Sequence, residues 1–271
     1  EKKLLFKLFK KYDLAINLTA SDRSVLYSMI AGKRSISAVE RKNKKSWWKK
    51  ILLSDYYFFD NTKHILRNNL EPLKILKIKY DLVQDLPNIS GEVIDRMKIK
   101  LIQMGITDFM IFHPSTQYSY KVYPQLLRDK LLSYLSNLGV PILITGGKNQ
   151  IDSEIKQQLR SLPNIFDLMG ETTLEEYFAL SKLSLAYIGM DTLNMHIAAA
   201  QNKRIFSIFG PTKLAMWSPW SNQLQTSSKE DRPLQTYGNI TIFQANMPCV
   251  ACGQAGCKDS GKSECLDKIK P

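Results

Sequence analysis

The sequence predicts an α/β fold with a parallel sheet. Short apolar runs alternate along the second half with helical patterns of roughly 10 to 16 residues, an order typical of parallel strands joined by right-handed helical crossovers. These strand-like runs end in small or polar residues such as Gly146 and Asp191, where open α/β sheets bind ligands. The runs cover residues 109–112, 140–145, 183–188 and 203–209.

The first half is shorter and less regular. Residues 12–19 predict a short buried strand, and Ser21 caps a helix that runs towards Gly32. Cations crowd residues 33–50 around Trp47 and Trp48. Residues 86–91 have the composition of a linker, and a connecting helix is predicted over residues 92–104.

The second half predicts three helices between its strands. A helix over residues 123–138 carries leucines on one face, and a helix over residues 152–162 follows the pair Gly146-Gly147. Thr172 and Thr173 open a further helix before the two strands at 183–188 and 203–209.

Composition narrows the functional classes. The 271 residues are 44% hydrophobic, enough to bury a core, and the net charge of +13 favours a polyanionic partner such as nucleic acid, an anionic membrane surface or a phosphorylated glycolipid. No apolar run has the roughly 18 to 20 residues of a membrane-spanning helix. Because the first residue is Glu1, we expect the chain to begin inside a longer product.

The predicted strand ends carry residues suited to a nucleotide diphosphate. Asp191, Thr192 and His196 follow one strand into the first turn of a helix, whose positive end attracts phosphate. Ser115, Thr116 and Lys121 follow another strand and offer hydroxyl donors and a cation. Each group has an ordinary structural explanation, a helix cap or a solvated lysine. Together, at neighbouring strand ends, they favour a diphosphate site.

Four cysteines cluster near the end of the chain. Cys249, Cys252, Cys257 and Cys265 lie among glycines, and no other cysteine occurs. Short glycine-rich loops can wrap a tetrahedral ion, so a structural zinc or iron–sulfur site is one interpretation. Two disulfides and four free thiols are the alternatives.

Several motifs resemble glycosyltransferase family 9, the bacterial lipopolysaccharide heptosyltransferases. The motif that carries most of the resemblance begins at Asp191-Thr192, continues through His196-x-Ala-Ala-Ala200, and ends in Phe209-Gly-Pro-Thr212 and Trp217-x-Pro219. Further matches are His113-Pro-Ser115-Thr116 with Lys121-x-Tyr-Pro124, Gly170-Glu-Thr-Thr-Leu174, Tyr12-Asp-Leu with Asn17-Leu-Thr19, and His64-Ile with Asn69-Leu-Glu-Pro-Leu73. The last of these is most similar to the heptosyltransferase III-like subgroup.

The resemblance implies a GT-B fold of two Rossmann-like domains and an inverting, metal-independent transfer of heptose from ADP-heptose to the lipopolysaccharide inner core. It implies no cofactor for catalysis. Lys121 and Asp191 would be the catalytic residues, with Lys121 replacing a metal ion. The donor would be bound by Ser115, Thr116, Lys121, Thr172, Thr173, Asp191, Thr192 and His196.

The resemblance also sets the expected domain organisation. Residues 1–86 would form a partial acceptor-side domain, truncated at its N-terminus, and residues 87–104 a linker and connecting helix. Residues 105–247 would form the donor domain, and residues 248–271 a cysteine-rich tail.

The sequence departs from the family at two positions and in one segment. Leu193 stands where many members have glycine, and Gln117 where an arginine is common. The family begins with a strand, Gly-Asp and a helix, and that Asp is its proposed general base; no such segment precedes Tyr12. Asp22 is the remaining candidate base near the first-half strand, although a helix cap is the simpler interpretation.

The expected partners follow from charge and resemblance. Arg23 is a candidate acceptor-binding cation. Together with Lys33, Arg34, Arg41 and their neighbours it would guide the anionic lipopolysaccharide core or the membrane surface, and a solvated basic face is the alternative interpretation. We expect a cytoplasmic protein, peripheral at the inner membrane, with no nucleic-acid partner. Two alternatives stay open: a non-catalytic module that binds nucleotide sugars or glycans, and a basic nucleic-acid-binding protein.

Overall fold

The computed structural model describes residues 2–271, except the side chains of residues 2, 3, 5 and 259. The chain divides into two compact units, Glu1–Leu82 and Val83–Pro271. In the first unit the helices are α1 (Lys2–Leu8), α2 (Asp22–Ala31), α3 (Trp47–Leu52), α4 (Ile65–Asn69) and α5 (Glu71–Ile75), and the strands are β1 (Tyr12–Asn17), β2 (Gly32–Glu40) and β3 (Asp55–Phe59).

The first unit is built on a parallel sheet in the order β1-β2-β3. Its middle strand, β2, is covered on both faces: Val39 packs against Val25 of α2 on one face, and Ile36 and Ala38 pack with Ile75 of α5 on the other. The burial predicted for residues 12–19 is wrong. β1 pairs with β2 alone among the described strands, and Tyr12 is half-exposed. An apolar run marks a strand, but its position in the sheet decides its burial.

The second unit follows the alternation that the sequence predicts. Its helices are α6 (Gly91–Gln103), α7 (Gln125–Ser136), α8 (Gln150–Gln158), α9 (Leu174–Leu183), α10 (Leu193–Ala200), α11 (Leu214–Trp217) and α12 (Glu264–Asp267), and its strands are β4 (Met110–His113), β5 (Ile142–Ile144), β6 (Ile165–Asp167), β7 (Ala186–Met190), β8 (Arg204–Phe209), β9 (Leu234–Tyr237) and β10 (Ile240–Gln244).

The sheet of the second unit has the order β6-β5-β4-β7-β8-β10-β9. All neighbours are parallel except the hairpin of β9 and β10, which turns at Gly238 with φ of 54°. The sequence analysis missed β6, β9 and β10. β6 has only three residues, and the Gly238-Asn239 turn is the signal that marks the hairpin.

Helix α6 packs on this second sheet. Its residues Val93, Met97 and Leu101 recur every four positions, so they share one helix face. They are buried in the same cluster as Ile111 of β4 and Leu180 of α9.

The cysteine-containing tail completes a separate part of the core. Cys265, Leu266 and Ile269 are buried with Tyr123 and Leu127. The Tyr123 hydroxyl donates a 2.6 Å hydrogen bond to the carbonyl of Ile269. The tail therefore covers apolar surface at the start of α7 that would otherwise face water.

Candidate functional site

The carboxyl ends of β5, β4 and β7 meet at the point where the sheet changes direction. The chain runs outward from β4 to β5 and β6 and then returns to the other side of β4 as β7. Open parallel sheets form a crevice at such a switch point. A cavity of about 430 Å³ lies at this edge.

This cavity, the switch-point cavity, collects most of the predicted donor residues. Those that line it are Ser115, Thr116, Lys121, Thr172, Thr173, Asp191 and Thr192. They come from three separate loops, those that follow β4, β6 and β7, so only the sheet order brings them together.

Lys121 and Asp191 form an ion pair across the cavity. Lys121 Nζ donates to Asp191 Oδ2 at 2.7 Å, and the two side chains are 21% and 8% exposed. Lys121 ends a 3₁₀ turn after β4, and Asp191 directly follows β7. The pair therefore bridges the two strands that flank the switch point.

Two of the predicted hydroxyl donors are already engaged. Thr116 Oγ1 donates to the carbonyl of Tyr118 at 2.7 Å. Thr173 caps α9: its Oγ1 accepts from the Glu176 amide at 3.2 Å and donates to the Glu176 carboxylate at 3.0 Å. These bonds order the loops, so both residues shape the wall of the cavity in addition to any contact with a ligand.

The helix α10 presents an uncapped N-terminus to the cavity. The first turns of three helices line the cavity, and two of these helices carry a complete capping box, Asn149 with Asp152 in α8 and Thr173 with Glu176 in α9. The N-cap of α10, Thr192, makes no side-chain capping bond. The first amides of α10 are therefore the helix-end donors best placed to receive a phosphate oxygen.

A buried histidine forms the floor of the cavity. His113 Nδ1 lies 2.9 Å from Thr145 Oγ1 and 3.0 Å from Asn194 Nδ2, and the Tyr177 ring packs edge-on against the imidazole. Burial lowers the pKa of His113 to about 4, although the Asp152 carboxylate opposes the shift. The ring is therefore neutral at physiological pH. Burial also raises the pKa values of Tyr177 and Tyr187.

The pKa of His113 predicts a pH-dependent stability. The unfolded state binds a proton near pH 6.5 but the folded state only near pH 4, so protonation favours unfolding. We expect the free energy of unfolding to fall by up to about 3 kcal/mol between these pH values from this group. Melting temperatures measured from pH 7 to pH 4 should decline less steeply in His113→Gln than in the unsubstituted chain. Equal slopes would contradict the assignment.

The pair Gly146-Gly147 leaves room for a protein carboxylate. A Cβ at Gly146 would lie 2.9 Å from Asp152 Oδ1, and one at Gly147 would lie 2.9 Å from Asp152 Oδ2. Asp152 is 2% exposed and accepts from the Asn149 amide. The glycines are thus needed for the close approach of the α8 cap.

Five residues at this site were missed by the sequence analysis: Tyr118, Asn149, Asp152, Tyr177 and Asn194. The sequence holds a signal for two of them. Asn149 and Asp152 have the spacing of a capping box after Gly146-Gly147. Tyr177 and Asn194 carry no comparable local signal.

Two predicted site residues lie outside this cavity. His196 does not line the cavity. It lies one turn into α10, where it is half-buried. Arg23 belongs to the first unit, where its guanidinium lies 6.0 Å from the Tyr27 ring centroid. In the same unit Ser21 is the N-cap of α2. Asp22, the other candidate for this cap and for the general base, forms an ion pair with Lys49 at 2.6 Å.

The four cysteines are free thiols. Burial, with a smaller contribution from the Cys257, Cys252 and Cys249 thiols, raises the pKa of Cys265 to about 11. Within residues 2–271, leaving out the undescribed side chains, no group of three or more His, Cys, Asp or Glu residues is placed to hold a metal ion. A structural zinc or iron–sulfur site therefore has no support in this arrangement.

The family model of glycosyltransferase family 9 (heptosyltransferase) matches residues 3–244. The chain belongs to this family. The predicted resemblance is thereby confirmed, and the match spans both units of this family 9 chain.

Individual relatives agree with the family. The chain is 26% identical over 220 residues to lipopolysaccharide heptosyltransferase 3 of Escherichia coli, covering 79% of this chain and 64% of the relative. This family 9 chain therefore spans less than two thirds of the length of that relative.

Two solved structures share the fold. The structure of E. coli ADP-heptose LPS heptosyltransferase II matches with a TM-score of 0.69 at 18% identity, covering 100% of this chain and 76% of the other. The family 9 glycosyltransferase of Veillonella parvula matches with a TM-score of 0.65 at 17% identity, covering 80% and 63%. The predicted fold class, α/β of the GT-B type, is confirmed.

Proposed function

We propose that this family 9 chain transfers a heptose from ADP-heptose to the lipopolysaccharide inner core. The observation that carries the proposal is the switch-point cavity, where Lys121, Asp191 and the uncapped end of α10 converge. A relative at 26% identity is a lipopolysaccharide heptosyltransferase, and a structure with the same fold is an ADP-heptose LPS heptosyltransferase.

The donor diphosphate would occupy the side of the cavity next to α10. Lys121 would exchange its bond to Asp191 for a phosphate oxygen, and Ser115, Thr192 and the α10 amides would add hydrogen bonds. Asp191, released from Lys121, would accept hydrogen bonds from sugar hydroxyls. Thr172 and Thr173 would face the nucleoside.

The reaction would invert the anomeric carbon. An acceptor hydroxyl would attack that carbon from the face opposite the diphosphate. The new C–O bond forms as the bond to the ADP oxygen breaks, ADP leaves, and the hydroxyl proton passes to water. Negative charge grows on the departing diphosphate, so Lys121 and the α10 amides would stabilise the transition state more than the ground state. In this mechanism Lys121 supplies the positive charge that a metal ion supplies in other transferases.

The two units would bind different substrates. Residues 105–247 would hold the donor, and residues 1–86 would contribute to the acceptor side, with Arg23 binding the anionic core. We place the protein in the cytoplasm, peripheral at the inner membrane, where this acceptor is lipid-linked.

Ligand-dependent unfolding tests the proposal. Saturation with ADP or ADP-heptose at about 100 times the dissociation constant should raise the melting temperature by about 5 to 10 °C, whereas UDP, GDP and a duplex oligonucleotide should not. Lys130→Ala, an exposed lysine on α7, is the matched control and should shift like the unsubstituted chain. A shift with the oligonucleotide alone would contradict the proposal in favour of nucleic-acid binding.

Turnover separates an enzyme from a binding module. ADP release from ADP-heptose that depends on an inner-core acceptor would support transfer. Donor binding without such release in the longest form of the protein would instead identify a non-catalytic nucleotide-sugar module.

A further inference from the structure

The segment of residues 41–52, here the basic patch, concentrates positive charge on the first unit. Six of its twelve residues are lysine or arginine, and none is acidic. It comprises the loop after β2, a 3₁₀ turn at Lys44–Ser46 and the helix α3. Lys49 is buried and pairs with Asp22, so the other five cations supply the surface charge of the patch.

Helix α3 presents apolar side chains to solvent within the patch. Trp47 is 64% exposed, and Ile51, one turn further along, is 69% exposed. The opposite side holds the helix in place: Trp48 packs against Val25, and Lys49 is buried and donates to the Ala20 carbonyl at 2.6 Å. The outward direction of Trp47 and Ile51 is thus set by the packing of α3.

Cations flank these apolar side chains in the sequence. Lys44 and Lys45 are exposed in the turn that leads into Trp47. Arg41 and Lys50 lie over the Phe58 ring, at 5.1 and 5.2 Å from its centroid. These contacts hold both charges over Phe58. Lys50 belongs to the same helix as Trp47 and Ile51, so cation and exposed apolar side chains are combined on α3.

We propose that the basic patch docks the protein on an anionic lipid bilayer. Lysine and arginine near an anionic leaflet each add to binding, and tryptophan favours the interface between headgroups and acyl chains. Exposed Ile51 and Leu52 would enter the acyl boundary. A nucleic acid offers phosphates but no apolar layer for these two side chains, so the bilayer matches both halves of the patch.

Within the described part of the chain, no helix has the length and apolar character required to cross a bilayer.

The docking proposal rests on the proposed function in one respect: docking would bring the donor site to a lipid-linked acceptor. Binding to lipid itself requires no transfer activity. The two can therefore fail separately.

Co-sedimentation with vesicles tests the docking surface. The full chain should bind phosphatidylcholine vesicles that contain phosphatidylglycerol, and added salt should weaken binding. The double substitution Lys44→Glu/Lys45→Glu should reduce the partition coefficient about tenfold or more. Trp47→Ser/Ile51→Ser should reduce it by a similar factor and should remove the blue shift of tryptophan fluorescence on binding.

Matched controls come from exposed residues of the second unit. Lys130→Glu/Lys268→Glu changes the same charge, and Tyr134→Ser removes a side chain as exposed as Trp47. Both should stay within about twofold of the unsubstituted chain. The melting-temperature shift with ADP should be the same in all variants, so a failure of that shift counts against the proposed function alone.

Three results would overturn the docking proposal. Equal loss of binding in the patch variants and the controls would show an effect of overall charge. Equal binding to pure phosphatidylcholine would remove the role of charge. Binding to duplex RNA that the patch variants abolish, without vesicle binding, would identify a nucleic-acid surface.

Discussion

Lys121→Ala should weaken the binding of ADP by about 10- to 100-fold, because a charge-assisted hydrogen bond to a phosphate contributes about 1.5 to 3 kcal/mol. Isothermal titration at a temperature well below unfolding measures the loss. Removal of Lys121 also leaves the Asp191 carboxylate, 8% exposed, without its cation, so the melting temperature without ligand should fall as well. ADP affinity within twofold of the unsubstituted chain would contradict the assignment of Lys121 to the diphosphate.

Asp191→Asn separates the two roles of the ion pair. The amide keeps the shape of the side chain but releases Lys121 from its carboxylate partner, so ADP affinity should stay constant or rise. Transfer from ADP-heptose should fall by about 10²-fold or more, since the proposed acceptor for the sugar hydroxyls is weakened. Equal losses of ADP affinity in Asp191→Asn and Lys121→Ala would show that the pair acts only as structural support.

Leu266→Ala should destabilise the second unit by about 2 to 5 kcal/mol, the usual cost of truncating a buried leucine. Leu266 is 1% exposed and packs in the cluster of Tyr123 and Leu127. It also packs against Gly210. Urea unfolding of the transition that ADP shifts measures the effect under reducing conditions, which suit the free thiols.

The control is Leu126→Ala, a neighbouring leucine on α7 that is 66% exposed. Its effect should stay below about 0.5 kcal/mol. If Leu266→Ala also remains below about 1 kcal/mol, the tail does not complete the core and the packing described here is wrong.

The location of the site could be predicted from the sequence because parallel strands end at one edge of a sheet. Asp191 follows an apolar run that could only be a strand, and Ser115 follows another. To place Asp191 and Ser115 close together, one further fact was needed, that β4 and β7 are neighbours in the sheet. His196 was predicted at the same edge but lies one turn into α10, about 6 Å along the helix from Thr192. A motif spacing does not state which of its members faces the cavity.

Other features had no local signal. The bond between Lys121 and Asp191 joins residues 70 positions apart. The depressed pKa of His113 depends on burial beneath Asn194 and Tyr177, and residues 12–19 were expected to be buried but lie on the edge of a three-stranded sheet. The ion pair, the pKa and the burial all depend on which surfaces pack together. An apolar run has the same sequence pattern in an edge strand and in a central strand.

The sequence by itself determined the alternation of strands and helices, the family, and the residue types at the strand ends. It could do so because hydrogen-bonded periodicity and helix caps act over a few residues. The tertiary structure decided that α10 alone of the three helices at the cavity lacks a side-chain cap, that Lys121 pairs with Asp191, and that α3 turns Trp47 and Ile51 outward. Those outcomes depend on burial and on partners distant in the chain, which only the packed structure sets.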